Sequence, residues 1–250
     1  FTSISRLKQV IATAQNIARA VKGNYLSALA MFCAVAITCL SREIDVKIIL
    51  AGVLLGGLIG SLIAIKVKMT AIPEMVALFN GFGGLATFLI AWSQFNEPDN
   101  SLFQHALVML TIYIGGITFS GSLIAYGKLS EKLKLGKGSM ITNVFISFFY
   151  ISMPALIYVV VEPSLSGFFP QVPSYFSIFL VLTLMAGIGF VMPIGGGDMP
   201  VVISLLNSLS GIAAAFAGLL LLNNVLIVAG SLVGASGLIL TIIMAKAMNR

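Results

Sequence analysis

Residues 199–213 read MPVVISLLNSLSGIA, and 127 positions earlier residues 72–86 read IPEMVALFNGFGGLA. Each stretch has a proline at its second place. Seven residues after that proline stands an asparagine, Asn80 or Asn207, at eleven a glycine, Gly84 or Gly211, and at thirteen an alanine, Ala86 or Ala213. Proline suits the first turn of a helix and is disfavoured in its interior. An apolar run with no turn signal beyond that point reads as a bilayer-crossing helix. Two similar helices, each with one amide at the same depth, imply an all-α fold: a polytopic membrane helix bundle with an internal repeat.

The rest of the chain agrees. Of 250 residues, 59% are hydrophobic and 9% charged, against roughly 25% charged in soluble domains. Apolar runs of spanning length fall near 24–40, 46–65, 72–92, 102–127, 139–161, 175–193, 199–222 and 225–247, which predicts about eight transmembrane helices. Residues 1–23 form a basic segment, either amphipathic and lying at the membrane surface or a connector, ahead of a transmembrane domain over 24–250. The chain begins on Phe1 without a signal peptide's short apolar region and cleavage site, so it is expected to be a segment of a longer protein.

Lysine and arginine collect in cytoplasmic loops. With the N-terminus inside, that side receives Arg6, Lys8, Arg19 and Lys22, then Lys66 and Lys68, then Lys128, Lys132, Lys134 and Lys137, then Lys246 and Arg250, twelve of the fourteen basic residues. The opposite side receives Arg42 and Lys47 together with Glu43, Asp45, Glu97, Asp99 and Glu162. Both termini are therefore expected on the cytoplasmic side, or the matrix side in an organelle. The net charge of +6 follows from this topology, since no basic groove interleaved with aromatics points to nucleic acid. Cys33 and Cys39 are too few for a disulfide framework or a zinc site, and no metal is expected. Gly81–Ala86, GFGGLA, matches the dinucleotide fingerprint in letters, but that fingerprint needs a strand before it, and here it falls in mid-span.

Glycines at helical spacing, Gly52, Gly56 and Gly60 in the second span and Gly230 and Gly234 in the last, predict close helix packing. Few polar groups lie inside spans, and such groups are functional candidates by default. Asn80 and Asn207 each stand about 12 Å along their helices, as interhelical hydrogen-bonding groups or as members of a polar pathway. Asp198 closes PIGGGD directly before a helix and fits an N-cap or an ionisable coupling residue. Glu74 follows Pro73 and complements a helix N-terminus or shares that coupling role. His105, the only histidine, is placed at the outer start of the fourth span, so no group of this chain titrates near neutrality at midplane depth. Both repeated helices run from inside to outside, making the repeat parallel. Parallel repeats occur in transporters with the working site between the copies, which favours a translocation path over a plain anchor.

Four stretches, MTAIPEMVALFNGFGGLA (69–86), TFSGSLIAYGKL (118–129), PIGGGDMPVVISLLNSLSG (193–211) and VLIVAGSLVGASGLILTIIMAKAMNR (225–250), together resemble the membrane domain of the beta subunit of proton-translocating nicotinamide nucleotide transhydrogenase. The resemblance covers the chain from about residue 45 onward. It implies that hydride transfer from NADH to NADP+ is coupled to inward proton movement. Asp198 and Asn207 would link proton passage to the NADP(H) site, Ser120 and Ser122 would lie on a channel-side helix, and Arg250 would lead into an NADP(H)-binding domain. NAD(H) would bind on an alpha subunit, and this chain itself would bind no cofactor and carry no catalytic residue. Many relatives have His where this chain has Asn80. Those with Asn there place the membrane His on a small alpha subunit, so an alpha-subunit His is the expected partner. The resemblance also implies a homodimer of alpha-beta assemblies in a bacterial inner membrane or an energy-coupling organelle membrane. The alternatives to set against it are a secondary transporter of a small solute, with its site between the parallel repeats, and a purely structural anchor.

Overall fold

The computed structural model describes residues 21–26, 28–30, 32–33, 35–36, 45–95, 102–133, 140–161 and 172–249. Arg250, Cys39, residues 1–20 of the basic segment and the loop charges at 42–43, 97–99, 134–137 and 162 lie outside them. Among the described residues there is no strand. Helical residues fall between 21 and 36, followed by seven helices in chain order: α1 (Val46–Lys66), α2 (Ile72–Gln94), α3 (Leu102–Leu129), α4 (Met140–Val161), α5 (Val172–Val191), α6 (Met199–Leu220) and α7 (Asn224–Ala247). They follow the eight runs read from the sequence. Five described helices are long and apolar enough to cross a membrane, α1, α2, α3, α6 and α7, and α4 and α5 carry shorter apolar stretches.

The chain divides into two compact units, Phe1–Val67 and Lys68–Arg250. In the first, α1 is capped by Asp45, whose carboxylate accepts from the backbone N–H of Lys47 at 2.9 Å. It ends with Lys66 in its last turn, which complements the helix dipole. No residue of α1 is buried. A helix apolar on all sides and bare on all sides needs lipid or another helix around it, so the first unit is read as membrane-embedded.

In the second unit α3 is the central element, packed against α2, α4, α5 and α6. Two apolar clusters fill its two ends. One joins Phe88 and Ala91 of α2, Val108 to Ile117 of α3 and Phe176 to Ala186 of α5. The other joins Ala77 of α2, Ala125 of α3, Val191 of α5 and Met199 to Leu206 of α6. The C-terminal end of α3 therefore meets the starts of α2 and α6, so those two helices run parallel to each other and antiparallel to α3.

The repeat extends to the backbone. A single 3₁₀ turn precedes each copy, Met69–Ala71 before α2 and Gly196–Asp198 before α6, and each helix has its proline in the first turn. Each copy then pairs with the following helix at its repeated glycine. A methyl at Gly84 would stand 2.9 Å from Phe119 N and Thr118 Cβ of α3, and one at Gly211 would stand 2.5 Å from Gly234 N of α7. Only a missing side chain allows backbones this close, which is how helices hold together where lipid supplies no hydrophobic drive. Hydroxyls stitch the second pair further. Ser208 donates to Gly234 O at 2.6 Å, and Thr241 donates to Ser204 at 3.0 Å.

The α6–α7 link is three residues long. Leu222 takes a left-handed conformation (φ 52°), Asn223 N donates to Gly218 O at 2.8 Å, and the Asn223 side chain caps α7 by accepting from Leu226 N at 3.1 Å. Asn223→Ala removes that cap and is expected to cost about 1 kcal/mol. A lowered melting temperature of the detergent-solubilised protein will show it, and an unchanged one will exclude the cap as a contributor.

Candidate functional site

Between the two apolar clusters lies a layer of amide and hydroxyl groups. Asn80 of α2 sits at its centre, half-buried. Its Nδ2 donates to Ser122 Oγ of α3 at 2.9 Å, and its Oδ1 accepts from Ser210 Oγ of α6 at 3.1 Å. One amide thus ties three helices together. Nδ2 carries a second hydrogen and Oδ1 a second lone pair, and neither has a partner among the described residues.

Ser210 is where the two repeated asparagines meet. Its hydroxyl lies 3.1 Å from Asn80 Oδ1 and 2.8 Å from the backbone oxygen of Asn207. A hydroxyl has one hydrogen to give, so these two acceptors compete for it, and Asn80 Oδ1 is freed whenever Ser210 turns back to its own helix. The Asn207 side chain is exposed on the surface of the chain. The link from Asn80 therefore runs through Ser210 to the backbone of Asn207, one turn earlier, and not to the Asn207 side-chain amide.

On α3, Ser122 is 1% and Ser120 6% exposed, and Ser120 donates to Gly116 O at 2.9 Å. Gly187 of α5 packs directly over Ser120, where a Cβ would overlap its hydroxyl. Thr118, fully buried one turn before Ser122, has a hydroxyl oxygen with no partner among the described residues. An unpaired buried hydroxyl is costly, and here it lies in the same layer as Ser120, Ser122 and Asn80. Beside Ser210 a cleft of about 250 Å³ opens between α2, α6 and α7, lined by Thr87, Ser210 and small apolar residues including Gly83 and Ala214. The layer is uncharged throughout. It can order water and pass hydrogen bonds along, but it cannot hold a proton at neutral pH without help.

Asp198 stands at the N-cap position of α6, yet its side chain makes no capping bond. The local backbone explains this. Gly196–Asp198 forms a 3₁₀ turn, leaving Asp198 at φ −92°, ψ −1°, outside the extended conformation an N-cap needs. The residue is partly exposed and makes an interaction other than a cap. Glu74 lies in the first turn of α2, partly exposed, at the matching helix start. Gly230 and Gly234 face α6: a Cβ at Gly230 would overlap Ala215 N, and one at Gly234 would meet Ile212 Cγ1 at 3.0 Å. At Gly52, Gly56 and Gly60 a Cβ would meet nothing within 4 Å. GFGGLA lies inside the continuous helix α2, with Gly81 and Gly84 turned against α3, so these glycines offer no phosphate loop. His105 rests beside Phe95, ring centroids 6.1 Å apart.

Sequence reasoning did not single out Ser210, Thr118 or Lys128. Ser210 lies one helical turn after Asn207, a spacing that could have flagged it. Lys128, read as a loop charge, is 8% exposed and belongs to the last turn of α3.

The sequence model of the family described as NAD(P) transhydrogenase beta subunit matches residues 4–250. The NAD(P) transhydrogenase subunit beta of Rhodospirillum rubrum is 38% identical over 240 residues, covering 91% of this chain and 50% of that protein. The protein of the same name from R. rubrum strain ATCC 11170 aligns with the same identity and coverage. The chain thus spans about half the length of the curated relatives it matches.

Proposed function

Because this chain belongs to the NAD(P) transhydrogenase beta subunit family, we propose that it forms the proton-conducting membrane part of a redox-driven pump. The observation that carries the reading is the uncharged amide-and-hydroxyl layer enclosed between two apolar clusters and centred on Asn80. Asn80, Asn207, Ser120 and Ser122 are the pathway residues. Asn80, Ser120 and Ser122 order water across the middle of the bundle without fixing a charge there, whereas Asn207, exposed on the chain's surface, meets the path only where a neighbouring subunit covers that face. The titrating group comes from outside, a His on an alpha-subunit helix that takes up the hydrogen and lone pair Asn80 has left.

Asp198 and Glu74, at the starts of the two repeated helices, are the coupling residues, with Arg250 leading toward an NADP(H)-binding domain. NADP(H) in that domain and NAD(H) on an alpha subunit supply the hydride chemistry. In this chain, Gly195, Gly196 and Gly197 leave α6 free to shift when the neighbouring domain changes state. The scale suffices: one charge crossing about 150 mV is worth roughly 3.5 kcal/mol. The assembly is a dimer of alpha-beta units in a bacterial inner membrane or an energy-coupling organelle membrane, with both termini on the nucleotide side.

Asp198→Asn tests the coupling role. Asp198 makes no capping bond, so the substitution keeps the helix start while it removes the charge and alters the other interaction Asp198 makes. In the assembled enzyme in proteoliposomes, proton pumping and reverse transhydrogenation are expected to fall together by about tenfold, in line with a coupling free energy of 1–3 kcal/mol. Full pumping by a well-folded Asp198→Asn enzyme will remove Asp198 from the mechanism.

A further inference from the structure

Helix contacts in the second unit are of two kinds. Within α6–α7, and among α2, α3, α4 and α5, glycines set backbone against backbone: Gly211 against Gly234, Gly84 against Phe119, Gly187 against Ile117 and Gly189 against Phe145. Where α3 meets α6 the contact is softer. A methyl at Gly121 would meet the side-chain end of Leu206 at 3.3 Å, and the α2–α6 link at this depth is the Asn80–Ser210 side-chain bond. Close-packed backbones do not deform continuously, whereas side-chain contacts can exchange. The unit is one compact body in which α6–α7 joins α2–α5 through side-chain contacts along α6. The chain crosses from one group of helices to the other through Met192–Asp198, where a Cβ at Gly195, Gly196 or Gly197 would meet nothing within 4 Å.

Lys128 holds one end of that crossing. Its ammonium group donates to Ile194 O at 2.6 Å, to Val191 O at 3.4 Å and to Met192 O. A lysine has three hydrogens to give, and all three go to carbonyls at and just beyond the end of α5. Those carbonyls belong to a helix terminus that leaves acceptors unfilled and carries negative dipole. A buried ammonium is tolerated only when its donors are satisfied. The site is too specific for a charge that merely orients a loop.

We propose that Lys128 is the positioning residue of this hinge: its ammonium clamps the α5 end to α3, so that motion of α6–α7 is taken up by Gly195–Gly197 and not by unwinding of α5. The clamp itself follows from geometry alone. Its consequence for coupling rests on the reading of the chain as a proton-conducting domain. If the clamp fails, Asp198 is no longer presented at a fixed place, and movement in the nucleotide half is absorbed before it reaches the layer at Asn80.

The test uses the complete alpha-beta enzyme with Cys33 and Cys39 replaced by alanine and a nitroxide on Gly196→Cys. With Lys128 intact, the label is expected to report a loop tethered at one end. Lys128→Met should sharpen its spectrum and lower the ratio of protons pumped to hydride transferred by about tenfold, the scale of a lost coupling between sites. Lys128→Arg, which also donates to carbonyls, should restore much of both. An unchanged spectrum in Lys128→Met overturns the clamp whatever the activity. A parent enzyme that transfers hydride without pumping overturns the functional reading and leaves the clamp standing. Should Lys128→Met fail to fold, acylation of the unaltered enzyme decides the matter: Lys128 is expected to react about tenfold more slowly than exposed Lys132 because its bonds must break first, and equal rates overturn the proposal.

Discussion

Gly84→Ala and Gly211→Ala are each expected to lower the stability of the detergent-solubilised protein by more than about 2 kcal/mol, while Gly83→Ala leaves it unchanged or slightly raised. The three substitutions add the same methyl to the same kind of helix. At Gly84 it would stand 2.9 Å from Phe119 N, and at Gly211 2.5 and 2.9 Å from Gly234 N and Cα. These are backbone atoms, which cannot swing aside, and overpacking of this kind costs about 1–3 kcal/mol or more. At Gly83 the methyl meets nothing within 4 Å, and the higher helix propensity of alanine contributes up to about 1 kcal/mol in its favour. Thermal or denaturant midpoints of the three variants measure the contrast. Equal midpoints for Gly83→Ala and Gly84→Ala will show that the α2–α3 crossing is not set by that glycine.

Asn80→Leu is expected to reduce proton pumping by about a hundredfold in the assembled enzyme while leaving assembly nearly intact. Leucine shares asparagine's branching and number of side-chain heavy atoms, and an interhelical hydrogen bond within a membrane contributes only about 0.6 kcal/mol on average. Two such bonds, to Ser122 and Ser210, are a small share of the packing that holds three helices. The loss to proton transfer is larger, because Asn80 would hold in place the partner's titrating group, and a positioned proton-transfer group is worth about 10²–10⁴ in rate. Pumping read from a pH dye in proteoliposomes, beside subunit recovery on purification, separates the two effects. Normal pumping by Asn80→Leu will exclude Asn80 from the path, and loss of the assembled complex will assign the residue to packing.

The order and length of the helices were legible because apolar run length and proline and glycine punctuation are written locally in the chain. The repeat was legible too, and with it the depth of Asn80 and Asn207. Rotation about each helix axis was not. Spacing places Asn80 and Asn207 at equivalent positions, yet one turns into the bundle against Ser122 and Ser210 and the other outward, because α2 and α6 have different neighbours. The repeated glycines were visible as letters, but that both mark the closest approach to the following helix depends on where Thr118 and Gly234 stand. Lys128 was counted among orienting charges because charge bias does not see burial, and its long stem brings the ammonium to the end of α5. Asp198 sits at the expected helix start, but the 3₁₀ turn before it, invisible in composition, takes its carboxylate out of capping geometry.

The three-residue turn at Leu221–Asn223 also constrains how the chain is made. A helix leaving the ribosome is oriented in the membrane by charges near its ends, and this turn carries none. The left-handed Leu222 and the Asn223 cap close the turn on itself, leaving no slack in which α6 could wait across the bilayer for α7 to be synthesised. Until α7 arrives, the glycine face of α6 has no partner, and the hydroxyls of Ser204 and Ser208 face hydrocarbon, where unsatisfied polar groups are costly. The pair is therefore built to insert as a hairpin, with Lys246 in the last turn of α7 as its nearest basic residue, so the orientation of α6 is decided only once α7 has followed it.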